Sequence, residues 1–311
     1  MARFLVTGGA GFIGSHIAET LVGRGDSVRV LDNLSTGRQE NLASCLGRVD
    51  FVEGDIRDLE TCRRAVKGID HVLHEAALAS VPRSVEDPLT TNAVNVAGTL
   101  NLLIAARDAG VGSFVMASSS SVYGDDASPA KREGTEGRPL SPYAVSKLVN
   151  EKYCQVFHGL FGLKTVALRY FNVFGPRQDP LSQYAAVVPL FITKVLRGES
   201  PIIYGDGEQS RDFTFVRNVV EANIVAAECA TAGGEAINIA CGERLTVNAL
   251  LAAVNGILGT DVKPSYTEAR PGDIRHSTAD VEKARRVLHY EPAVMFMDGL
   301  KETISWYRGR S

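Results

Sequence analysis

The sequence predicts an α/β fold, with a doubly wound parallel sheet followed by a smaller mixed α/β lobe at the C-terminal end. In the first half, short apolar runs that suit buried strands alternate with segments that suit helices, as in a parallel sheet covered on both faces. Beyond about residue 175 this alternation breaks down around Gly-Pro and Asp-Pro dipeptides, which indicate loops. We expect a first domain over residues 1–175, with later segments at about 210–240 crossing back into it, and a second lobe mainly over residues 176–311.

The predicted elements follow in chain order. Strands are expected at residues 3–7, 27–31, 49–53, 70–74, 112–117 and 163–169. Helices are expected in the same half at about 12–24, 58–67, 85–109 and 142–161. In the second half, helices are expected at about 186–197, 216–230, 246–258, 280–289 and 297–308, with extended segments at 201–204 and 236–239. Right-handed crossovers between the parallel strands would give the doubly wound order.

The first strand runs into a glycine-rich turn that opens a helix. Its glycines are spaced Gly8-x-x-Gly11-x-x-Gly14, and backbone N–H groups at such a helix start can hold a pyrophosphate. Glycine-rich turns also occur without any ligand, so a purely structural turn is the alternative. Asp32, 18 residues after Gly14, ends the next apolar run. A carboxylate there can accept hydrogen bonds from both ribose hydroxyls and would repel a 2′-phosphate, which favours NAD and a Rossmann-type fold.

Polar or small residues also follow the next three strands. Gly54-Asp55-Ile56 follows the third, Ala76-Ala77 the fourth, and Ser118 to Ser121 the fifth. Each alone could be ordinary turn chemistry. Ligands of open α/β sheets bind at the carboxyl ends of the strands, so signals at five successive strand ends predict a cofactor site there.

Tyr143 and Lys147 form the candidate catalytic pair. They lie in Ser141-Pro142-Tyr143-Ala144-Val145-Ser146-Lys147, where a serine cap and a proline predict the start of a helix. Residues four apart share one helix face, so the ammonium would lie beside the phenol and favour its ionisation. Tyr143 is then a candidate general base. An ordinary surface Tyr and Lys would show the same spacing, and the serine cluster upstream is what favours the catalytic interpretation.

Composition excludes several other classes of protein. A net charge of −3 offers no electrostatic surface for nucleic acid or an anionic membrane. We expect no apolar run of the roughly 18 residues that span a bilayer. The five cysteines show no CxxC spacing and the six histidines no paired spacing, so we expect reduced thiols, no metal site and a cytoplasmic protein.

The chain resembles the extended short-chain dehydrogenases/reductases that act on nucleotide sugars. The segments that carry the resemblance are TGGAGFIG, Asp32-Asn33, GDIRD, HEAA, SSSSVYG, SPYAVSK, LRYFNVFGPRQ, YGDGEQSRDF and RPGDIRHSTAD. Within that family it is most similar to the UDP-hexose 4-epimerases, and SVPRS, QDP…YAAVVP and GDIRHSTAD resemble the branch that accepts UDP-N-acetylglucosamine.

The resemblance implies roles for individual residues. Ser119, Tyr143 and Lys147 would be catalytic. NAD would be bound by Gly8, Gly11, Phe12, Ile13, Asp32, Asn33, Thr36, Gly37, Asp55, Ile56, Ala76, Ala77, Asn95, Tyr143, Lys147 and Tyr170. The UDP-sugar would contact Ser119, Asn172, Val187, Tyr204, Arg211, Arg270, Asp273 and Ser277. Two departures from the galactose-pathway enzymes, Ala79 and Ala185-Ala186, leave some cofactor and phosphate contacts open.

The activity implied is 4-epimerisation through a 4-keto sugar, with Tyr143 as the base. A small residue at Ser277 would admit an N-acetyl group, although a plain structural role for Ser277 is an alternative. A 4,6-dehydratase or decarboxylase on the same fold is the nearest rival, but Ser120-Ser121 stands where those enzymes have carboxylic acids. A non-catalytic NAD-binding regulator is the third possibility.

The resemblance also implies a homodimer through the helices at about 85–109 and 142–161. Their apolar residues exceed what one sheet face needs: Leu100, Leu103, Ile104, Leu148, Val149, Tyr153 and Val156. Helices used entirely in the monomer core are the alternative.

Overall fold

A computed structural model describes residues 1–180, 186–269 and 275–310. Seven strands form one parallel sheet: β1 (Arg3–Thr7), β2 (Ser27–Asp32), β3 (Val49–Glu53), β4 (His71–His74), β5 (Ser113–Ser119), β6 (Lys164–Tyr170) and β11 (Glu235–Ile239). Their order across the sheet is β3-β2-β1-β4-β5-β6-β11. The predicted α/β class with a doubly wound parallel sheet is confirmed.

Short strands in the second half build three small sheets. These strands are β7 (Val173–Phe174), β8 (Ile202–Tyr204), β9 (Ser210–Arg211), β10 (Thr214–Phe215), β12 (Leu245–Thr246), β13 (Ser265–Thr267) and β14 (His276–Ser277). Strand β10 pairs with β7, β13 pairs with β8, and β9 lies between β12 and β14. The β9 sheet is mixed, because β12 runs antiparallel and β14 parallel to β9.

Helices cover both faces of the large sheet. The α-helices of the described residues are α1 (Phe12–Gly23), α2 (Leu59–Val66), α3 (Val81–Glu86), α4 (Pro88–Asn92), α5 (Thr99–Asp108), α6 (Pro142–Phe161), α7 (Val187–Leu196), α8 (Val216–Glu228), α9 (Val247–Leu258), α10 (Glu282–Leu288) and α11 (Phe296–Arg308). Strand β1 shows why both faces are covered. Phe4 and Val6 pack in one hydrophobic cluster and Leu5 in another, since alternate side chains point to opposite faces of a strand.

The predicted continuous helix over 85–109 is wrong at its start. Ser80 caps α3, which therefore begins at Val81 and ends at Glu86. Asp87 then leaves the helical conformation, with φ −135° and ψ 79°, and caps α4, which begins at Pro88. The residue before a proline is sterically disfavoured in the helical region. The chain next passes through a π-helical turn, Ala93–Gly98, into α5.

The segment Pro88–Asp108, 21 residues long, is long and apolar enough to cross a bilayer, with a mean hydropathy of 1.2 over its most apolar 18-residue window. The prediction that no apolar run of this length occurs is therefore wrong. Leu102, Leu103, Ala105 and Ala106 on it are buried in the cluster that covers the sheet. It is therefore a core helix, whose apolar character is explained by packing.

The second half contributes directly to the first. Strand β11 forms the edge of the large sheet beside β6. One hydrophobic cluster joins Ile17 and Leu21 of α1 to Val219 of α8 and to Leu300 and Ile304 of α11. The division into domains at about residue 175 stays a prediction.

Candidate active site

The glycine turn brings β1, α1 and the end of β4 close together. Gly8 has a φ of +66°, and a Cβ atom on it would lie 2.7 Å from the backbone nitrogen of Ala76. A Cβ on Gly14 would lie 2.3 Å from the carbonyl oxygen of Gly8. No side chain caps the N-terminus of α1. The backbone at this turn therefore suits a pyrophosphate, which needs a close approach to N–H groups.

A pocket opens along the carboxyl ends of β1 to β4, and most of the residues predicted to bind the cofactor line it. These are Gly8, Gly11, Phe12, Ile13, Asp32, Asn33, Thr36, Gly37, Asp55, Ile56, Ala76 and Ala77. Ala79, one of the two departures from related epimerases, is also in its wall. The structure thus gathers into one cleft residues as far apart in the chain as Gly8 and Val94.

Two carboxylates lie toward the β2–β3 end of this pocket. Asp32 is buried and accepts hydrogen bonds from the backbone N–H groups of Ala10 (2.9 Å) and Leu34 (2.8 Å). Burial raises its pKa. Asp55 accepts from Asn33 (2.8 Å), and hydrogen bonds from Arg57 are the main cause that lowers the pKa of Asp55 to about 2. Asp55 is therefore a fixed negative charge, and its role in binding NAD stays a prediction.

Ser119, Tyr143 and Lys147 meet at the carboxyl end of β5. Ser141 caps α6 through the N–H of Ala144, which fixes the helix start. Tyr143 and Lys147 are buried on α6, and the Lys147 Nζ lies 5.8 Å from the centre of the Tyr143 ring. Lys147 donates a 2.7 Å hydrogen bond to the carbonyl of Ala117 on β5.

Burial dominates the ionisation of this pair. It raises the pKa of Tyr143 to about 12, while a hydrogen bond with Ser119 acts in the opposite direction. Burial also lowers the pKa of Lys147 to about 8. The sequence interpretation assigned the stabilisation of the phenolate to Lys147. In the structure the interaction that favours phenolate is the hydrogen bond with Ser119, and the ammonium is directed toward the Ala117 carbonyl.

Two further predicted cofactor residues, Asn95 and Tyr170, lie behind the pocket wall. The Asn95 Oδ1 accepts a 2.8 Å hydrogen bond from the N–H of Leu78, and its amide donates to Ser146 Oγ (3.1 Å). Asn95 thus fixes the loop after β4 against α6. The Tyr170 hydroxyl donates to Glu75 at 2.7 Å.

Glu75 is the residue in this site that sequence reasoning missed. It lines the pocket directly after β4, and burial raises its pKa to about 7. The signal was present in the sequence, because Glu75 immediately precedes Ala76-Ala77 at a strand end. A single acidic residue at a strand end was indistinguishable from ordinary turn chemistry.

Apart from Ser119, the residues predicted to bind the substrate lie in the second half of the chain, and two of them are adjacent. Ser277 on β14 is the register partner of Arg211 on β9. Asn172, with a φ of +31°, donates to the carbonyl of Asp212 at 3.3 Å. Val187 begins α7, and Tyr204 ends β8. Arg270, Asp273 and Ala185 lie outside the described residues.

No cluster of three or more His, Cys, Asp or Glu side chains suited to a metal ion occurs in residues 1–180, 186–269 and 275–310. The five cysteines are free thiols, and four of them are buried.

The sheet order, the glycine turn and the cluster of Ser119, Tyr143 and Lys147 define a dinucleotide-dependent enzyme of the Rossmann type. Comparison with known families agrees. The model of the NAD dependent epimerase/dehydratase family matches residues 4–240, and the chain belongs to this family. NAD is its cofactor.

Solved structures of similar sequence cover the whole chain. The UDP-N-acetylglucosamine 4-epimerase from Methanobrevibacter ruminantium, in complex with UDP-N-acetylmuramic acid, is 42% identical, with a TM-score of 0.95 and coverage of 100% of this chain and 99% of that one. The UDP-glucose 4-epimerase from Thermotoga maritima, with UDP-glucose, is 40% identical, with a TM-score of 0.94 and coverage of 99% of both chains.

The family also includes other reactions. A dTDP-glucose 4,6-dehydratase from Streptomyces griseus is 37% identical over 313 residues, which covers 98% of this chain and 94% of the relative. The protein is therefore an NAD-dependent enzyme that modifies nucleotide sugars.

Proposed function

We propose that this enzyme interconverts the C4 epimers of UDP-sugars, UDP-N-acetylglucosamine with UDP-N-acetylgalactosamine, and also UDP-glucose with UDP-galactose. The observation that carries the proposal is the cluster of Ser119, Tyr143 and Lys147 at the ligand edge of the sheet. Two 4-epimerases at about 40% identity over the whole chain support the reaction class.

In this mechanism Tyr143 takes the proton from the sugar O4 and later returns it. Ser119 hydrogen-bonds the same oxygen and, through its hydrogen bond with Tyr143, favours the phenolate. Lys147 orients the nicotinamide ribose. Bound NAD supplies reversible hydride transfer at C4. The residues that line the pocket, together with Asn95 and Tyr170, keep the cofactor bound between the two half-reactions.

The nucleotide part of the substrate is assigned to the second half of the chain. We assign the diphosphate to Asn172, Arg211 and Arg270, since a guanidinium can donate two parallel hydrogen bonds to phosphate oxygens. Val187, Tyr204 and Asp273 complete the UDP site. Anchoring by the nucleotide leaves the 4-keto sugar free to turn and receive the hydride on its other face.

A dehydratase would need an acid and a base beside C5 and C6 of the sugar. Ser120 and Ser121 occupy the 3₁₀ turn that follows β5, and neither hydroxyl can act as a carboxylic acid. This favours epimerisation over elimination. A purely regulatory NAD-binding role is disfavoured because Tyr143 and Lys147 are both present and buried together.

The direct test is to incubate the purified holoenzyme with UDP-N-acetylglucosamine or UDP-glucose and to resolve the product sugars. We expect the 4-epimer of at least the N-acetylated substrate. Formation of a 4-keto-6-deoxy sugar would overturn the proposal in favour of a dehydratase. Unchanged substrate in both incubations would favour a binding protein or a different nucleotide.

Ser277→Tyr is expected to suppress conversion of UDP-N-acetylglucosamine while sparing UDP-glucose. Ser277 is buried beside Arg211 in the register of β14 and β9, so a phenol there would occupy the space that we assign to the sugar 2-substituent. A change in the size of one pocket contact alters the ratio of kcat/KM between two substrates by roughly 10–200-fold. The measurement is kcat/KM for both substrates. Ser277→Ala is the control, because it keeps a small side chain at this position. Equal losses on both substrates would show that the assignment is wrong.

We also propose a homodimer formed by α3, α4 and α6. Of the residues predicted for this interface, Leu103 is buried in the monomer core, and Val156 is exposed. The exposed apolar side chains on these helices are Val81, Val85, Leu89, Val145, Val156, Leu160 and Phe161. Such a patch on neighbouring helices is typical of an interface.

Leu89→Glu combined with Leu160→Glu is expected to convert a dimer into a monomer. These two side chains are 83% and 74% exposed in the single chain, so charging them should leave the monomer folded but place unpaired charges in the interface. Mass in solution, from size-exclusion chromatography with light scattering, is the measurement. Met297→Glu on α11, also exposed, is the control and should remain dimeric. A wild-type monomer, or an unchanged mass in the double variant, would contradict the proposal.

The expected location is the cytoplasm, in keeping with five free thiols.

A further inference from the structure

Glu75 is an acidic group in the half of the pocket where the reaction is proposed to occur. It follows β4, and its N–H donates to the carbonyl of Thr7 on β1 at 3.1 Å. Asp32 and Asp55 belong to the ends of β2 and β3, on the other side of β1. Strands β5 and β6, which carry Ser119 and Tyr170, lie on the Glu75 side. Its charge therefore acts on the catalytic groups and not on the adenosine end.

A directed chain of hydrogen bonds holds the Glu75 carboxylate. The amide of Asn223 on α8 donates to the Tyr170 hydroxyl oxygen (2.7 Å), and the Tyr170 O–H donates to Glu75 Oε1 (2.7 Å). An amide NH₂ group can only donate, so the single phenol hydrogen is directed to the carboxylate. Asn223 and Tyr170 are both buried. Such a network fixes the position of Glu75 and stabilises its charged form.

The charged and titratable groups around Glu75 come from three elements. Lys147 and Tyr143 of α6 interact electrostatically with Glu75, and Tyr170 of β6 hydrogen-bonds it. His74, its neighbour on β4, bonds Thr7 and Thr99 instead and is neutral, because burial lowers its pKa to about 3. Glu151, one turn beyond Lys147, is paired with Arg169. Glu75 is thus a carboxylate of the pocket that, together with Glu151 on α6, compensates the Lys147 ammonium.

We propose that Glu75 is a positioning residue whose carboxylate, held by Tyr170 and Asn223, sets the charge balance of the catalytic pocket. The carboxylate compensates the positive charge of Lys147 and opposes ionisation of Tyr143. It also stabilises the positively charged, oxidised nicotinamide relative to the neutral, reduced form. The inference rests on the proposed function, in which Tyr143 is the base and Lys147 orients the nicotinamide ribose. Its consequence is a cofactor that returns to the oxidised state after each cycle.

The first test is the pH dependence of epimerisation by Glu75→Gln holoenzyme. The amide keeps the acceptor for Tyr170 and removes the charge. A carboxylate raises the pKa of a nearby phenol, so its loss lowers the pKa of Tyr143, and the acid limb of kcat/KM should move to lower pH by about one unit. Glu133→Gln is the matched control. Glu133 is half-buried and accepts from the N–H of Asn238 at 2.7 Å, but it does not line the pocket.

The second test needs no sugar substrate. Bound NAD is reduced with sodium cyanoborohydride and followed by absorbance at about 340 nm. An electrostatic interaction that shifts a pKa by one unit changes an equilibrium constant about tenfold. We therefore expect reduction of the bound NAD to be about tenfold faster in Glu75→Gln than in wild type or Glu133→Gln. If this rate rises although no variant converts sugars, the role of Glu75 stands and the proposed epimerase function fails.

Tyr170→Phe provides an independent variant if Glu75→Gln does not fold. It removes the donor that stabilises the carboxylate, which raises the pKa of Glu75 from about 7. The carboxyl group then stays neutral to a higher pH than in the wild type, and it ionises when the pH is raised further. Reduction by cyanoborohydride should therefore exceed the wild-type rate at pH 7 and approach it at pH 9. A reduction rate and an acid limb equal to those of wild type in these variants would overturn the proposal.

Discussion

Tyr143→Phe is expected to lower turnover of a UDP-sugar by about 10²–10⁴-fold, the usual contribution of a positioned general base. The side chain is buried beside Ser119 and Lys147, and the substitution removes one oxygen atom with little change in volume. The nucleotide is assigned to residues in other elements, so affinity for the UDP-sugar should be nearly unchanged. Turnover is measured by product analysis and affinity by calorimetry.

Tyr153→Phe is the matched control for this experiment. It makes the same chemical change on the same helix, at a partly buried position that packs against the core and does not line the pocket. It should retain wild-type turnover. Unimpaired turnover of Tyr143→Phe would remove Tyr143 from its proposed role, whereas an equal loss in both variants would mean that α6 is sensitive to any tyrosine replacement.

Gly8→Ala is expected to yield a protein that is purified with little or no bound NAD and has correspondingly little activity. Two physical effects combine at this position. A φ of +66° is unfavourable for alanine by about 1–2 kcal/mol. The new methyl group would also lie 2.7 Å from the Ala76 nitrogen, so the end of β4 must move away from the turn. Both displaced segments line the cofactor pocket.

Gly25→Ala separates these two effects. Gly25 has a φ of +88°, but no atom lies within 4 Å of an added Cβ. This control should lose about 1 kcal/mol of unfolding free energy and keep its NAD. Bound NAD is measured by absorbance and by chromatography after denaturation, and stability by thermal unfolding. Retention of a full complement of NAD by Gly8→Ala would contradict the expected effect.

Local signals in the sequence were sufficient to predict most strands of the large sheet. Strands such as Phe4 to Thr7 are continuous apolar runs, and a strand covered on both faces needs that pattern whatever its neighbours are. The helix start at Pro142 was equally predictable, because a serine cap followed by proline is a local signal. The break at Asp87-Pro88 was missed, although it too is local, because the apolar periodicity on both sides obscured it.

The residues of the site were predictable wherever a segment carried several of them together. The glycine turn and the Tyr143–Lys147 pair are compact in sequence, and resemblance to a family supplied the remaining assignments. Glu75 carried no such signal. Its significance comes from Tyr170, which lies 95 positions later in the chain, and from Asn223 beyond that. Hydrogen bonds over such separations are fixed by the packing of β4, β6 and α8.

By itself, the sequence determined the class of fold, the NAD cofactor and the candidate catalytic pair, because each depends on strand periodicity, turn chemistry or helical spacing, which are local patterns along the chain. The tertiary structure decided three other things. Ser277 lies beside Arg211, Glu75 is held in the catalytic half of the pocket, and burial raises the pKa of Tyr143 to about 12. These properties depend on which distant segments exclude water from a group and which charges they place beside it.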